Sequence, residues 1–249
     1  MDPRPRLELP DSAALAWWLT AWLTGGTSPD ALLDAVRGED AGHHVVGLPG
    51  AEEDAVPLAL ALGHLRSLGA DGAGLALPVE GDPVGLGGPP AFNHEAIEAG
   101  EAVVVTGTDL GLVPARAGRG VVWRCLPARR RQLPDVGEAD RALRQAMLEA
   151  ATNLAELDVA RWRPDVADEL LNLRHRAVPT APATTPASCV SLAARGLQAI
   201  GIVELALVDD GGAITGAQAA ERREALRPLG RAGRRALVAA CSPEAWPPG

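Results

Sequence analysis

The sequence predicts an α/β protein: a mixed sheet of about four or five strands with a βαβ unit, followed by a mainly helical C-terminal region. Three observations carry this. Short apolar runs bounded by Gly and Pro recur between residues 44 and 126. A helical pattern over 52–68 separates the first two of those runs, and from residue 135 the apolar spacing is that of helices.

The first element is a helix from Asp11 or Ser12, either of which can cap it, to about Thr24, where Gly25-Gly26 ends it. Leu15, Trp18, Leu19, Trp22 and Leu23 share one face; Trp17 points roughly opposite and needs either a second neighbour or a partner. Ser28-Pro29 places a cap before a proline at the first helical position, starting a helix to about Val36.

His44–Leu48 reads as a strand, 52–68 as a helix whose start Pro57 moves to about residue 56, and Gly74–Val79 as the next strand. A crossover of that length favours a parallel, right-handed unit. A further strand spans Glu101 to Thr106. Gly111–Arg116 and Gly120–Leu126 form a hairpin around Ala117-Gly118-Arg119-Gly120.

Asp135 and Glu138 have capping-box spacing ahead of the stripe Leu143, Ala146, Met147, Ala150, Leu154 and Leu157. Asp165 caps a shorter helix bearing Val166, Leu170, Leu171 and Leu173. The prolines of 178–187 suggest an extended linker, so the expected units are 1–177 and a helical 188–249, either separate or packed on the first. Residues 188–208 read as a buried helix, interrupted by Asp209-Asp210-Gly211-Gly212. Thr215 and Gln218 cap the next helix, which Pro228 and Gly230 should split from another at 231–241.

Composition narrows the function classes. All 23 cationic residues are arginine and there is no tyrosine, which a GC-rich genome explains without any recruitment of guanidinium groups. Net charge of −9 argues against general affinity for nucleic acid or anionic membranes. Residues 1–100 carry 15 acids against 4 arginines, the remainder 17 against 19. Cys125, Cys189 and Cys241 are far apart, with no metal or redox spacing, and suit small core positions. His43-His44 would face opposite ways in a strand, and no histidine pair has ligand spacing, so no metal and no cofactor is expected. No signal peptide is evident and Ala13–Leu23 is too short to span a bilayer, so a cytoplasmic location is expected.

The loop Val79–Glu95 holds the strongest candidate groups. It satisfies neither a Walker nor a dinucleotide-binding pattern. If the two strands of the βαβ unit pair, the Pro49–Glu53 and Gly81–Pro90 loops share an edge. Glu52, Glu53, Asp82, Asn93, His94 and Glu95 would then line a crevice, with His94 as base and Asp82 or Glu95 orienting it. Gly85, Gly87, Gly88 and Asn93 would contact ligand there. The simpler reading has Asn93 capping a helix and His94 and Glu95 on its exposed first turn. Arg129-Arg130-Arg131 reads as an exposed turn, and Arg222 to Arg235 as a basic helical region without a base-reading set.

No coherent catalytic constellation emerges. The expected function is that of a soluble, non-catalytic accessory or regulatory protein acting through protein–protein contacts, with another protein or a second copy as partner. Trp17, Arg222 and Arg223 are the expected anchors. The alternative is an enzyme acting on a small metabolite in the crevice of loop 81–90. Nucleic acid and membrane are not expected partners.

Overall fold

Helix α1 (Asp11–Leu23) has no purely polar face: Ala13, Leu15, Ala16, Trp17, Leu19, Ala21 and Trp22 are all buried. A helix apolar all round must be covered on all sides, and the computed structural model shows how. It describes residues 9–129, 131, 133–156, 178–208 and 216–246. One side of α1 packs with α2 (Pro29–Arg37) and the sheet; the other meets the C-terminal helices. Ser28 caps α2 by accepting from the Ala31 amide at 3.1 Å, as its Ser-Pro start predicts. The residue preceding α1 is Pro10, so neither Asp11 nor Ser12 caps that helix.

The sheet has six strands, more than expected, in the order β2-β1-β6-β5-β4-β3. They are β1 (His43–Val46), β2 (Val56–Pro57), β3 (Gly72–Ala76), β4 (Ala102–Thr106), β5 (Leu110–Ala117) and β6 (Gly120–Pro127). The expected β5–β6 hairpin is present, turning at Gly118-Arg119. The expected βαβ unit is not. Helix α3 (Leu58–Ser67) runs from β2 to β3, and the two strands expected to pair, β1 and β3, lie far apart in the sheet and run in opposite directions. Among the described residues the one parallel pair is β1 with β6, Val45 opposite Trp123. A crossover helix of this length permits parallel pairing without requiring it, and here the β5–β6 hairpin takes the place beside β1.

Helices α1, α2 and α3 cover one sheet face over Val45, Ala73, Val103, Val105, Leu112, Val121 and Trp123. The other face carries α4 (Pro90–Ala99), whose Phe92 is fully buried against Val104 and Val113. Gly111 makes this possible, since a Cβ there would stand 2.5 Å from the Phe92 ring.

Three long helices follow among the described residues: α5 (Val136–Glu156), α6 (Ala187–Val208) and α7 (Gly216–Ala240). Asp135 caps α5, accepting from the Glu138 amide at 2.9 Å. Contrary to expectation, Pro228 and Gly230 do not split α7. Glycines instead let its axis approach α6: a Cβ at Gly196 would stand 3.0 Å from the Gly233 carbonyl oxygen. Packing at this crossing outweighs the cost of a mid-helix proline. The expected helix at Asp165, the break at 209–212 and the Thr215 cap lie outside the described residues. The Pro-rich stretch 178–186 is not a free spacer: Pro182 and Thr185 are buried and the Thr184 side chain packs against Gly26. The helical region is therefore joined to the sheet through a common core of Ala13, Trp17, Leu75, Leu77 and Val84 with α5, α6 and α7.

Candidate functional site

Because β1 and β3 run in opposite directions, the Pro49–Glu53 and Gly81–Pro90 loops do not share an edge of the sheet. The expected crevice is not formed. His94 is 73% exposed and faces Glu98 one turn on, at 3.6 Å. Glu95 accepts from Arg124 at 2.6 Å. Asp82 turns inward instead, placed by a tight turn in which the Val79 and Asp82 backbones bond each other. The three groups thus engage three different neighbours and do not converge.

The glycines and Asn93 also serve the chain itself. α4 begins at Pro90, so Asn93 is not its cap; its side-chain oxygen accepts from the Gly88 amide at 3.0 Å. Gly85 has φ +84° and lies so close to β3 that a Cβ would meet the Ala76 Cα at 2.6 Å. Gly88 has φ +87° and its carbonyl accepts from Arg129, while Gly87 is exposed.

Trp17 is 1% exposed, and its indole N–H donates to the Ala240 carbonyl at 3.0 Å. The second neighbour that its off-stripe position required is the chain's own C-terminal helix, so it offers no external anchor. Arg223 is exposed; the Arg222 side chain lies outside the described residues. The three cysteines are buried thiols. Burial pushes Cys125 up to about 11 and raises the other two, which suppresses thiolate chemistry.

Arg131, expected on an exposed turn, is buried. It donates to the carbonyls of Leu75 and Gly85 and to Ser242 Oγ, with Glu244 at 3.7 Å. Burial pulls its guanidinium down to about 10 against the opposing pull of Glu244, so it remains cationic near neutral pH. Ser242 accepts from the Leu75 amide, and Thr20 both donates to and accepts from the Ala73 backbone. Side chains from α1, the segment after β6 and the C-terminus thereby satisfy the free edge of β3, which would otherwise invite pairing with another chain. Gly74 was the available sequence signal, because a glycine inside a strand marks close approach; a Cβ there would collide with Arg131.

A second network surrounds Arg116. The Trp123 indole N–H donates to His43 Nδ1 at 3.1 Å, which requires a lone pair there and puts the ring proton on Nε2, facing Asp40 at 3.1 Å. Arg116 bridges Asp40 at 2.6 Å and Asp11 at 2.9 Å. Burial acts to raise the Asp40 carboxyl, but hydrogen bonds from His43 and Arg116 outweigh it and hold it below the ordinary value. Beside this network the Ser12 amide donates to Glu101 at 2.8 Å. Burial raises the Glu101 carboxyl, with the Ser12 amide opposing and Asp11 reinforcing.

Asp11, Glu101 and Arg116 form the sheet-side wall of a cleft of about 500 Å³. Its apolar lining comes from Leu77 and Val79 after β3 and from Leu197, Ile200 and Val203 of α6; Glu204 and Arg234 lie on the helical side. This junction of sheet and helices has the size and mostly apolar character of small-molecule pockets. Just behind Arg234 lies Asp82, its carboxylate shared among three arginines of α7: Arg231 at 3.4 Å, Arg234 at 3.2 Å and Arg235 at 3.5 Å.

Fold and site together define a mixed α/β protein whose sheet domain is closed by a C-terminal helical region, with a cleft at their junction. The chain belongs to the family of Rv1486c-like proteins: residues 12–139 match its N-terminal domain and residues 137–238 its C-terminal domain. It is similar to the Mycobacterium tuberculosis (strain H37Rv) protein named Uncharacterized protein Rv1486c, with 31% identity over 296 aligned positions covering 95% of this chain and 98% of the relative. The same identity and coverage hold for Uncharacterized protein MT1533 of strain CDC 1551. No solved structure matches the chain.

Proposed function

We propose that this chain is a non-catalytic accessory or regulatory protein of the cytoplasm that acts by contacting another protein or a second copy of itself. The observation that carries the reading is the pairing of its reactive side chains within the fold: His94 with Glu98, Glu95 with Arg124 and Asp82 with three arginines. A general acid or base needs a partner on a substrate, and these groups are directed to one another. The exposed Arg223 and Arg227 of α7 supply guanidinium anchors of the kind that interfaces favour. Helix α6 is long and apolar enough to cross a bilayer by length and composition, yet Cys189, Leu192, Ala193, Leu197 and Ala199 are buried within the protein, which favours a soluble chain.

The test is recovery of the tagged full-length chain from its native cell extract after mild crosslinking. A stoichiometric protein partner, lost in an Arg222→Ala/Arg223→Ala variant, supports the reading. Association unchanged in that variant removes this surface. Recovery of the chain without any protein partner, turning over a retained metabolite, overturns the function.

A further inference from the structure

The arginines around Asp82 are electrostatically unbalanced. Asp82 carries one negative charge, and Arg231, Arg234 and Arg235 have no other carboxylate partner among the described residues. Two positive charges are therefore left over at one end of α7. The Nε atoms of Arg234 and Arg235 are buried and make no hydrogen bond. Buried unmet donors are costly and mark places where an ion or water is wanted. Guanidinium groups present planar forks that fit carboxylate and phosphate oxygens.

The cluster adjoins an apolar space. Arg234 is itself part of the cleft lining, one turn from Gly230, whose missing side chain opens room beside Val203. The facing walls are Leu77 and Val79 on one side and Leu197, Ile200 and Val203 on the other. A ligand that fits both features has an anionic head and an apolar body. We propose that the cluster of Arg231, Arg234 and Arg235 and the adjoining cleft bind an amphipathic anion, its carboxylate or phosphate head on the arginines and its apolar body between α6 and the Leu77 and Val79 side of the cleft.

The acids of the cleft do not reverse this preference. Asp11 is paired with Arg116, which it shares with Asp40, and the Glu101 carboxylate is held by the Ser12 amide. Glu204 also has a partner. Asp82 fixes the arginines in place without cancelling them, so the head adds to an existing array.

The experiment is calorimetric titration of the full-length chain, below micelle-forming concentrations, with dodecanoate, dodecyl phosphate, dodecylamine and inorganic phosphate. Saturable binding of dodecanoate, of dodecyl phosphate or of both supports the site and identifies the head. Arg234→Gln should weaken that binding by about tenfold or more, the scale of one lost charge-assisted hydrogen bond. Ile200→Trp, which fills the cleft and leaves the arginines intact, should block the same ligands. Circular dichroism melts of both variants separate lost binding from lost folding, and Arg231→Gln, on a more exposed arginine, provides an independent variant of the head site. Binding of dodecylamine in preference to the anions overturns the proposal. So does an absence of saturable anion binding, or affinity unchanged in both Arg234→Gln and Arg231→Gln. Binding seen only after residues 1–8 are removed assigns the cleft to the chain's own leading segment and also overturns it. None of these outcomes depends on whether a protein partner exists.

Discussion

Glu101, just before β4, supplies the N-terminal cap that α1 lacks, because Pro10 has no side-chain acceptor for the first free amides. Capping from a distant strand ties α1 to the sheet, but it holds a carboxylate in a place that disfavours its charge. Burial raises the folded-state pKa, so the native chain takes up the proton more readily than the unfolded one. The contribution of Glu101 to stability is thus full below the ordinary carboxylate range and is lost as pH rises through the elevated value. Glu101→Gln keeps an oxygen for the Ser12 amide and removes the charge. The variant should be at least as stable as the parent near neutral pH, with the parent gaining relative to it on acidification. Urea unfolding of both chains at about pH 5 and about pH 7 reads this difference; identical pH slopes would exclude the assignment. Asp40 contributes in the opposite sense, since its lowered carboxyl favours the folded state at higher pH, and it cancels in the comparison.

Among the elements, α6 and α7 show how context overrides local preference. Glycine in a helix interior costs about 1 kcal/mol relative to alanine, yet Gly196 and Gly233 face each other where the helices cross. Gly196→Val recovers less than that in helix propensity and drives a branched side chain toward the Gly233 carbonyl. Overpacking of this kind costs about 1–3 kcal/mol, so net destabilisation on the order of 1–2 kcal/mol is expected as a lower urea midpoint. A midpoint that stays or rises would show that the crossing is loose. The edge strand β3 illustrates the complementary case. Its outward Ala73 and Leu75 backbone groups find Thr20, Ser242 and Arg131, residues that local pattern does not connect with a strand.

For the whole molecule, the question is whether its two family-matched regions are independent. The division falls near residues 137–139, but the core runs across it. Trp17 bonds Ala240, and Leu75, Leu77 and Val84 pack with α5, α6 and α7. A chain ending at residue 135 would expose that surface and leave the Arg131 knot without Ser242 and Glu244. It should aggregate or melt without the sharp cooperative transition of the full chain, as followed by tryptophan fluorescence and light scattering. A monomer that melts like the full chain would establish an independent N-terminal unit.

Much of the local structure was legible in residue order. The Ser28-Pro29 start of α2, the Asp135 cap of α5, the β5–β6 hairpin and the alternating burial of His43 and His44 all follow from rules acting over a few positions. So does the α/β class, because apolar spacing records which residues must face a core. The placement of β1 apart from β3, the burial of Trp17 and Arg131, and the clustering of three arginines on Asp82 required the folded chain. The contacts behind them join residues from 46 to 223 positions apart. Helical and strand periods specify a face to be covered without naming what covers it. Only tertiary packing selected those partners, and with them the position of the cleft.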